Sequence, residues 1–428
     1  MFNQQGLSLD QAPPITVVFR FFLLGSLFGI LSGVSLFVYQ TDIFNTSSIA
    51  AVTFTHLLTL GVMLSSMFAA LFQMLPVIAG IKLASPLKKA NLLLYPFTLG
   101  TIALLLGFNF PNMKWLFLIA ALLLSFAILT AIVPMLKELL KRQNHTPSSQ
   151  GMGIALLSLG IIVFLALYLL STLSGIIEGT LYTQIKTAHY SFGLFGWVAL
   201  LILSISFQVI EMFYVTPPYP DLVSRYLPLT LFTVLILSTF ISLFHANIWI
   251  VSNIILVLLL TLYALLTLRR LSQKKRPLSD ATVWFWRLGL STLLLSLLSH
   301  LLQILTTLEI LKPLSYIFFA SFALSILFAM FYKIVPFLTW FHLSSQGYFS
   351  APMMHEIIHP KTAKKHLYIH LATIVTFVLS LFVPLFIFLA GLLTILSFTW
   401  MAYQLIHANK RYNETQKMGR NLRWESRK

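Results

Sequence analysis

The chain consists of long apolar runs separated by short polar segments. Most runs contain about 20 residues or more, the length that an α-helix needs to cross about 30 Å of hydrocarbon. The last apolar stretch is long enough for two helices with a tight turn near Pro384. The pattern predicts an all-α polytopic membrane protein of about twelve transmembrane helices. The predicted spans are 17–39, 49–79, 91–108, 115–136, 154–177, 187–214, 227–244, 248–268, 283–305, 316–340 and two within 367–405.

Composition supports lipid as the solvent of this chain. Of its 428 residues, 58% are hydrophobic and 9% are charged, with a mean hydropathy of +0.89. The net charge of +17 does not indicate a nucleic-acid partner, because the basic residues lie in short loops and do not share an exposed face with stacking aromatics. Cysteine is absent, which excludes disulfides, thiolate metal sites and cysteine nucleophiles.

The distribution of basic residues predicts the orientation. If the N-terminus is cytoplasmic, 22 of the 28 Lys and Arg residues fall in cytoplasmic segments, as the positive-inside rule requires. Both termini are therefore predicted to be cytoplasmic. Residues 409–428 form a basic cytoplasmic tail that is expected to lie on anionic inner-leaflet lipid.

An internal repeat divides the spans into three groups of four. An aromatic, polar, apolar, apolar pattern recurs near the cytoplasmic ends of the second, sixth and tenth spans, at 72–75, 207–210 and 332–335. The first and ninth spans also share an arginine beside aromatic residues. We predict one membrane domain over 1–428, with pseudo-repeats at about 15–140, 150–270 and 280–408.

Four histidines are predicted to lie in the outer half of the bundle. His56 is about two turns inside the second span, His189 begins the sixth, His245 ends the seventh, and His300 is close to the outer end of the ninth. Neutral imidazoles on facing helices can bind haem iron, copper or zinc. Alternatively, these side chains bond to neighbouring helices or face lipid headgroups. We predict a cofactor site at His56, His189 and His300, and a metal site at His189 and His245.

Four charged side chains lie within spans near their cytoplasmic ends. They are Arg20, Glu211, Arg287 and Lys333, and each costs free energy if it is unpaired in the hydrocarbon. One interpretation is that they snorkel to the interface. The other is a polar cytoplasmic vestibule in which Glu211 and Lys333 face each other.

One motif of soluble zinc proteases occurs in a predicted cytoplasmic loop. Residues 355–359 read HEIIH, and on a helix this spacing places two zinc ligands on one face. Pro352 and Pro360 leave less than two helical turns between them, however, and no carboxylate ligand follows, although His366 and His370 are near. A loop that faces solvent or headgroups is the favoured interpretation.

Twelve spans with histidines in the second and the sixth resemble the catalytic subunit of the haem-copper oxidases. The resemblance implies that His56 ligates a haem and that His189 ligates copper. The family's adjacent histidine pair in the seventh span is missing, and so is its histidine pair in the tenth, so a standard oxygen-reducing centre cannot form. The opening at 19–25 (FRFFLLG) and the segment 55–57 (THL) are similar to the haem- and copper-containing membrane proteins of the bacterial nitric-oxide response.

The resemblance implies a bacterial inner-membrane protein that binds haem, with b type favoured and copper as a second cofactor. It implies a role in the response to nitric oxide or oxygen, or in electron transfer, with a redox partner on a separate protein. Whether the chain is an enzyme stays open. The alternative is a transporter, or a maturation factor for metal or haem without a permanent cofactor, because repeated helices with glycine and proline breaks are typical of carriers.

Overall fold

The computed structural model confirms the all-α prediction. Among the residues that it describes, the chain forms helices joined by short turns, and no strand occurs. Lys82, Arg276, Arg427 and Lys428, which contribute to the predicted orientation, lie outside the described residues. The structure describes residues 13–81, 83–245, 247–275, 280–348 and 350–425.

The described residues form twelve long helices, and each predicted span corresponds to one of them. Eleven are long and apolar enough to cross a membrane. The other is α11, which has 21 residues but begins with three lysines that lower its hydropathy. The helices are α1 (Ile15–Tyr39), α2 (Ile49–Ala79), α3 (Pro86–Asn109), α4 (Trp115–Leu140), α5 (Pro147–Leu173), α6 (Tyr182–Tyr214), α7 (Asp221–Ser242), α8 (Ile248–Ser272), α9 (Ala281–Leu305), α10 (Leu311–Ser345), α11 (Pro360–Ser380) and α12 (Phe386–Glu425).

Large apolar side chains remain exposed along these helices. Leu122 of α4 is 70% exposed, and Phe164 of α5 and Phe240 of α7 are each 64% exposed. Apolar surface of this kind is unfavourable in water and favourable against lipid tails. The exposure therefore agrees with a membrane-embedded protein.

Two helices contain a wide π-helical segment that the sequence pattern did not predict. In α2 it covers Leu57–Leu64, and in α6 it covers Phe192–Ala199, eight residues in each case. A π-helix bonds residue i to i+5, and it is rare and frequent at functional sites. It occurs in the second and the sixth helix and not in the described tenth helix, so the repeat of three groups stays a prediction.

The contacts divide the chain into two compact units. Unit 1 contains residues 1–73, 278–288 and 324–428, and unit 2 contains residues 74–277 and 289–323. The boundaries cut α2, α9 and α10 and do not fall between the predicted pseudo-repeats. Each unit therefore combines segments that are distant in sequence.

In unit 1, α1 packs against α12 through small residues. Gly29 lies under the ring of Phe398, and a methyl group at Gly33 would lie 2.9 Å from the backbone oxygen of Gly391 and 2.9 Å from the backbone nitrogen of Ile395. Small residues four positions apart let helix backbones approach closely in membranes. α1 also meets α2, where Phe21 stacks on Phe72 with ring centroids 5.7 Å apart.

Also in unit 1, the predicted basic tail continues α12 as a helix, which runs 40 residues to Glu425. Its extension is attached to the end of α10 by a small polar cluster. Gln346 donates through Nε2 to the hydroxyl of Tyr412 at 3.1 Å, and Gln416 donates to Oε1 of Gln346 at 2.8 Å. The first part of the tail is therefore fixed against a neighbouring helix.

In unit 2, close approach also depends on glycine. A methyl group at Gly151 of α5 would collide with Ser204 of α6, and one at Gly100 of α3 would lie 2.9 Å from Cγ of Leu124 in α4. These contacts hold α5 beside α6 and α3 beside α4. The contact at Gly151 helps to position α6, which carries His189.

Candidate functional site

His56 is the eighth residue of α2 and directly precedes its π-helical segment. Its Nδ1 lies 2.8 Å from the backbone oxygen of Val52. A carbonyl oxygen only accepts, so Nδ1 carries the proton and the lone pair of the neutral ring is on Nε2. Metal-ligating histidines commonly have this arrangement, because the bond to the carbonyl fixes both the tautomer and the ring orientation.

His189 occupies the equivalent position in α6. The prediction that it begins the helix was wrong, because α6 starts at Tyr182 and His189 is its eighth residue. Residues 182–186 are mostly polar, so the hydropathy pattern did not predict this first turn. One turn beyond His189, in the π-helical segment, a Cβ atom added to Gly193 would meet nothing within 4 Å. His189 therefore lies beside open space on its own helix.

His300 and His245 also belong to unit 2 but differ in their environments. His300 is half-buried in α9, and its Nε2 is buried without a hydrogen-bond partner among the described residues. One turn earlier, Ser296 donates to the backbone oxygen of Ser315 at 2.8 Å and fixes α9 against α10. His245 is exposed in the turn between α7 and α8, as expected for an interfacial side chain.

The histidines do not form a metal centre of three or more ligands. Within the described ranges, no group of three His, Cys, Asp or Glu side chains could hold a metal ion. His189, His245 and His300 belong to unit 2, whereas His56 belongs to unit 1. Haem needs only one or two axial ligands, so this finding does not bear on haem.

Glu211 organises the loop that follows α6. Its Oε1 accepts a hydrogen bond from the backbone nitrogen of Tyr219 at 2.9 Å, and the Tyr219 hydroxyl donates to Oγ1 of Thr267 in α8 at 3.1 Å. Burial raises the pKa of Tyr219, so its hydroxyl keeps the proton that it donates. Glu211 therefore has a structural partner within unit 2.

Lys333 has its own partner in unit 1, Asp280. The Lys333 ammonium lies 2.6 Å from Oδ2 of Asp280. The other oxygen of Asp280 accepts from the backbone nitrogens of Thr282 and Val283 at the start of α9. Burial alone would raise the pKa of Asp280, but Lys333 and the helix donors together hold it below its ordinary value. The vestibule formed by Glu211 and Lys333 stays a prediction.

We expect Asp280→Asn to lower the thermal stability of the protein at neutral pH, because the amide cannot offset the Lys333 charge. An aspartate with a depressed native pKa stabilises the folded state above its unfolded pKa of about 4. The difference between the two proteins should therefore shrink as pH falls through the native pKa of Asp280. Thermal unfolding in detergent across a pH series measures this effect. Glu414→Gln is the control, because its 3.9 Å pair with Lys410 is exposed; an equal loss there would contradict the prediction.

Arg20 and Arg287 both reach towards the N-terminal ends of their helices. Arg20 donates through Nε to the backbone oxygen of Thr16 at 3.2 Å. The Arg287 guanidinium lies 4.9 Å from the ring centroid of the exposed Trp284, a cation–π contact. Snorkelling requires these directions, but Nη2 of Arg20 is buried, so snorkelling stays a prediction.

The zinc-protease motif does not form a site. Only residues 354–357 form a helical turn, Ile358 is extended, and His359 caps α11 by accepting from the backbone nitrogen of Lys361. The two histidines therefore do not share a helix face. The loop interpretation agrees with this geometry.

Sequence reasoning missed a buried histidine pair in α11. His366 and His370 are 0% and 3% exposed, one turn apart on the face opposite the exposed Lys364 and Lys365. The spacing of four residues on the side away from the lysines was the available signal.

A scan of the sequence against protein-family models and a search of curated proteins found no match. The relationship to the haem-copper oxidases therefore depends on the helix pattern and the histidine positions, and it stays a prediction.

Proposed function

We propose that this chain is a membrane haem protein distantly related to the haem-copper oxidase catalytic subunit, in which His56 and His189 each provide an axial nitrogen. The main observation in favour is the repeated arrangement in α2 and α6. Each helix places a histidine at its eighth residue and begins a π-helical segment within three residues of it. Such segments are frequent at functional sites, and two matching examples favour a shared role.

Features of the described residues at each histidine support this assignment. At His56, the bond from Nδ1 to Val52 prepares Nε2 as the ligand atom. At His189, the open space at Gly193 gives a planar group room beside the imidazole. His300 is the third candidate, because an unsatisfied buried nitrogen is costly in a membrane. A bound haem would supply electron transfer if two histidines ligate the iron, or small-molecule binding if one position stays open.

We place the protein in the bacterial inner membrane with both termini in the cytoplasm. The excess of Lys and Arg in alternate loops supports this orientation. Copper is the alternative partner of His189 on this proposal, with His245 as the second copper ligand. Electrons would come from a separate redox protein.

The absorption spectrum of the purified protein tests the proposal. The full chain is expressed with added haem precursor, purified in detergent, and measured oxidised and dithionite-reduced, with iron and copper determined per chain. We expect a Soret band that shifts on reduction and about one iron or more per chain. A colourless protein without iron, from cells that load a known cytochrome b, would overturn the proposal.

The second candidate is a carrier, or a maturation factor that binds metal or haem only transiently. It is supported by the interruptions of the long helices: Pro76 lies inside α2, Pro336 inside α10, and π-helical segments interrupt α2 and α6. Interrupted helices are typical of transporter substrate sites. A colourless protein that binds added haem or copper reversibly would favour this candidate.

A further inference from the structure

A chain of hydrogen bonds in unit 1 passes through a buried histidine. His366 is fully buried between α10 and α12. Its Nδ1 lies 2.8 Å from the hydroxyl of Tyr332 in α10, and its Nε2 lies 2.7 Å from Oγ of Ser397 in α12. Both ring nitrogens therefore contact hydroxyl groups on different helices.

A second imidazole lies one turn further along α11. Nε2 of His370 is 2.9 Å from Oγ of Ser325 in α10. The ring of Phe328 packs against both histidines, with centroid distances of 4.4 Å to His366 and 5.1 Å to His370. Phe285 of α9 packs against the same two rings at about 6 Å, with centroid distances of 5.9 Å and 6.0 Å. The polar chain is thus enclosed by aromatic side chains.

The chemistry of the two contacts distinguishes His366 from His56. At His56 a carbonyl oxygen, which only accepts, fixes one tautomer. At His366 both partners are hydroxyls, which can donate or accept. The ring can therefore carry its proton on Nδ1, with Ser397 donating to Nε2, or on Nε2, with Tyr332 donating to Nδ1. Both arrangements satisfy every hydrogen bond of the ring.

We propose that His366 is a proton-transfer residue that carries protons between the Tyr332 hydroxyl and the Ser397 hydroxyl. In the transfer, the Tyr332 hydroxyl gives its proton to Nδ1 and takes up another from water on its far side, while Nε2 gives its proton to the Ser397 hydroxyl, which releases its own proton to water, so each group ends with the number of protons it had. One proton crosses the ring, the two tautomers exchange, and no electrons move. His370 and Ser325 form a second imidazole–hydroxyl pair in the same enclosure. This inference does not depend on a bound haem.

The charged groups nearby lie outside this enclosure. On α11, Lys364 and Lys365 are exposed on the opposite face, and Lys364 lies over the ring of Tyr368. On α10, Lys333 follows Tyr332 and pairs with Asp280, whose side chain is 42% exposed. The groups in direct contact with His366 are hydroxyls and aromatic rings. A neutral histidine that exchanges tautomers fits such a setting better than a permanently charged one.

The tautomer of His366 is directly measurable. The full-length protein, labelled with ¹⁵N-histidine and placed in lipid nanodiscs, is studied by NMR, and the His366 signals are those that disappear in His366→Gln. We expect ring nitrogen shifts averaged between the protonated and unprotonated values. Tyr332→Phe keeps the aromatic packing and removes one hydroxyl, so it should shift the ring to one tautomer. A single fixed tautomer in the unsubstituted protein would overturn the proposal.

Proton movement is then measured in vesicles of the same variants. Liposomes containing a pH-sensitive dye receive a potassium gradient and valinomycin, which drive proton flux. We expect flux above protein-free vesicles and a loss of about tenfold or more in His366→Gln and Tyr332→Phe. The control is His145→Gln, in the exposed turn between α4 and α5, which should keep the flux. Unchanged flux in folded Tyr332→Phe, or none in the unsubstituted protein, would refute the assignment.

Discussion

Replacing His56 or His189 by Ala is expected to reduce the Soret absorbance of the purified protein by at least about tenfold, because loss of even an outer-shell partner lowers metal affinity 10- to 100-fold. On the proposed ligand set, alanine removes the axial nitrogen and leaves the π-helical backbone beside it. If one histidine is the only ligand of its iron, the band disappears. If a second residue of the same unit also ligates that iron, the band that remains is weak and shifted. The measurement is the absorbance ratio of haem to protein, with iron determined per chain.

The controls separate ligand loss from misfolding. His145→Ala changes an exposed histidine in a turn and should leave the band unchanged. Free imidazole added to His56→Ala or His189→Ala should restore the band, because it fills the space that the side chain vacated. Full Soret absorbance in both variants would remove these residues from the ligand set, and His300→Ala would then be the next substitution.

Gly33→Ala is expected to lower the free energy of unfolding by about 1–3 kcal/mol, the usual range for overpacking. The added methyl group would lie 2.9 Å from the backbone oxygen of Gly391 and from the backbone nitrogen of Ile395. Backbone atoms cannot rotate away as a side chain can, so α1 and α12 must separate. The measurement is thermal unfolding of the detergent-solubilised protein, in which the fraction that stays monodisperse is determined at each temperature.

Gly153→Ala in α5 is the matched control. The nearest atom to its added methyl group is Cδ1 of Leu139 at 3.9 Å, an ordinary contact. Alanine is favoured over glycine in a helix interior by about 0.8–1 kcal/mol, so this variant should be as stable as the unsubstituted protein or more so. Equal stability of the Gly33→Ala and Gly153→Ala variants would contradict the close packing of α1 and α12.

The apolar pattern predicted every long helix, because a span of about 20 apolar residues leaves few other structures for the backbone in lipid. Helix starts were less predictable. The first turns of α3, from Pro86, and of α6, from Tyr182, contain several polar residues. A hydropathy pattern therefore does not include these turns in the helix. Because α6 starts at Tyr182 and not at 187, His189 lies more than one helical turn further from the start of its helix than the sequence predicted.

The sequence predicted which histidines belong to the candidate site, but not the backbone around them or their partners. The sequence singled out His56 and His189, yet the π-helical segments beside them depend on packing, since α- and π-helical turns bury similar apolar residues. The pairing of Lys333 with Asp280 and the contacts of His366 depend on helices that are distant in sequence. No spacing rule within one helix identifies such partners.

The length of α12 has a practical consequence. Its 40 residues rise about 60 Å, roughly twice the hydrocarbon thickness of about 30 Å. About half of this rod must therefore project beyond the lipid tails, and Gln346 anchors its emerging portion beside α10. A fluorescent domain fused after the last turn would be carried clear of the headgroups, so that its brightness in the cytoplasm or quenching in the periplasm reports the sidedness of the chain.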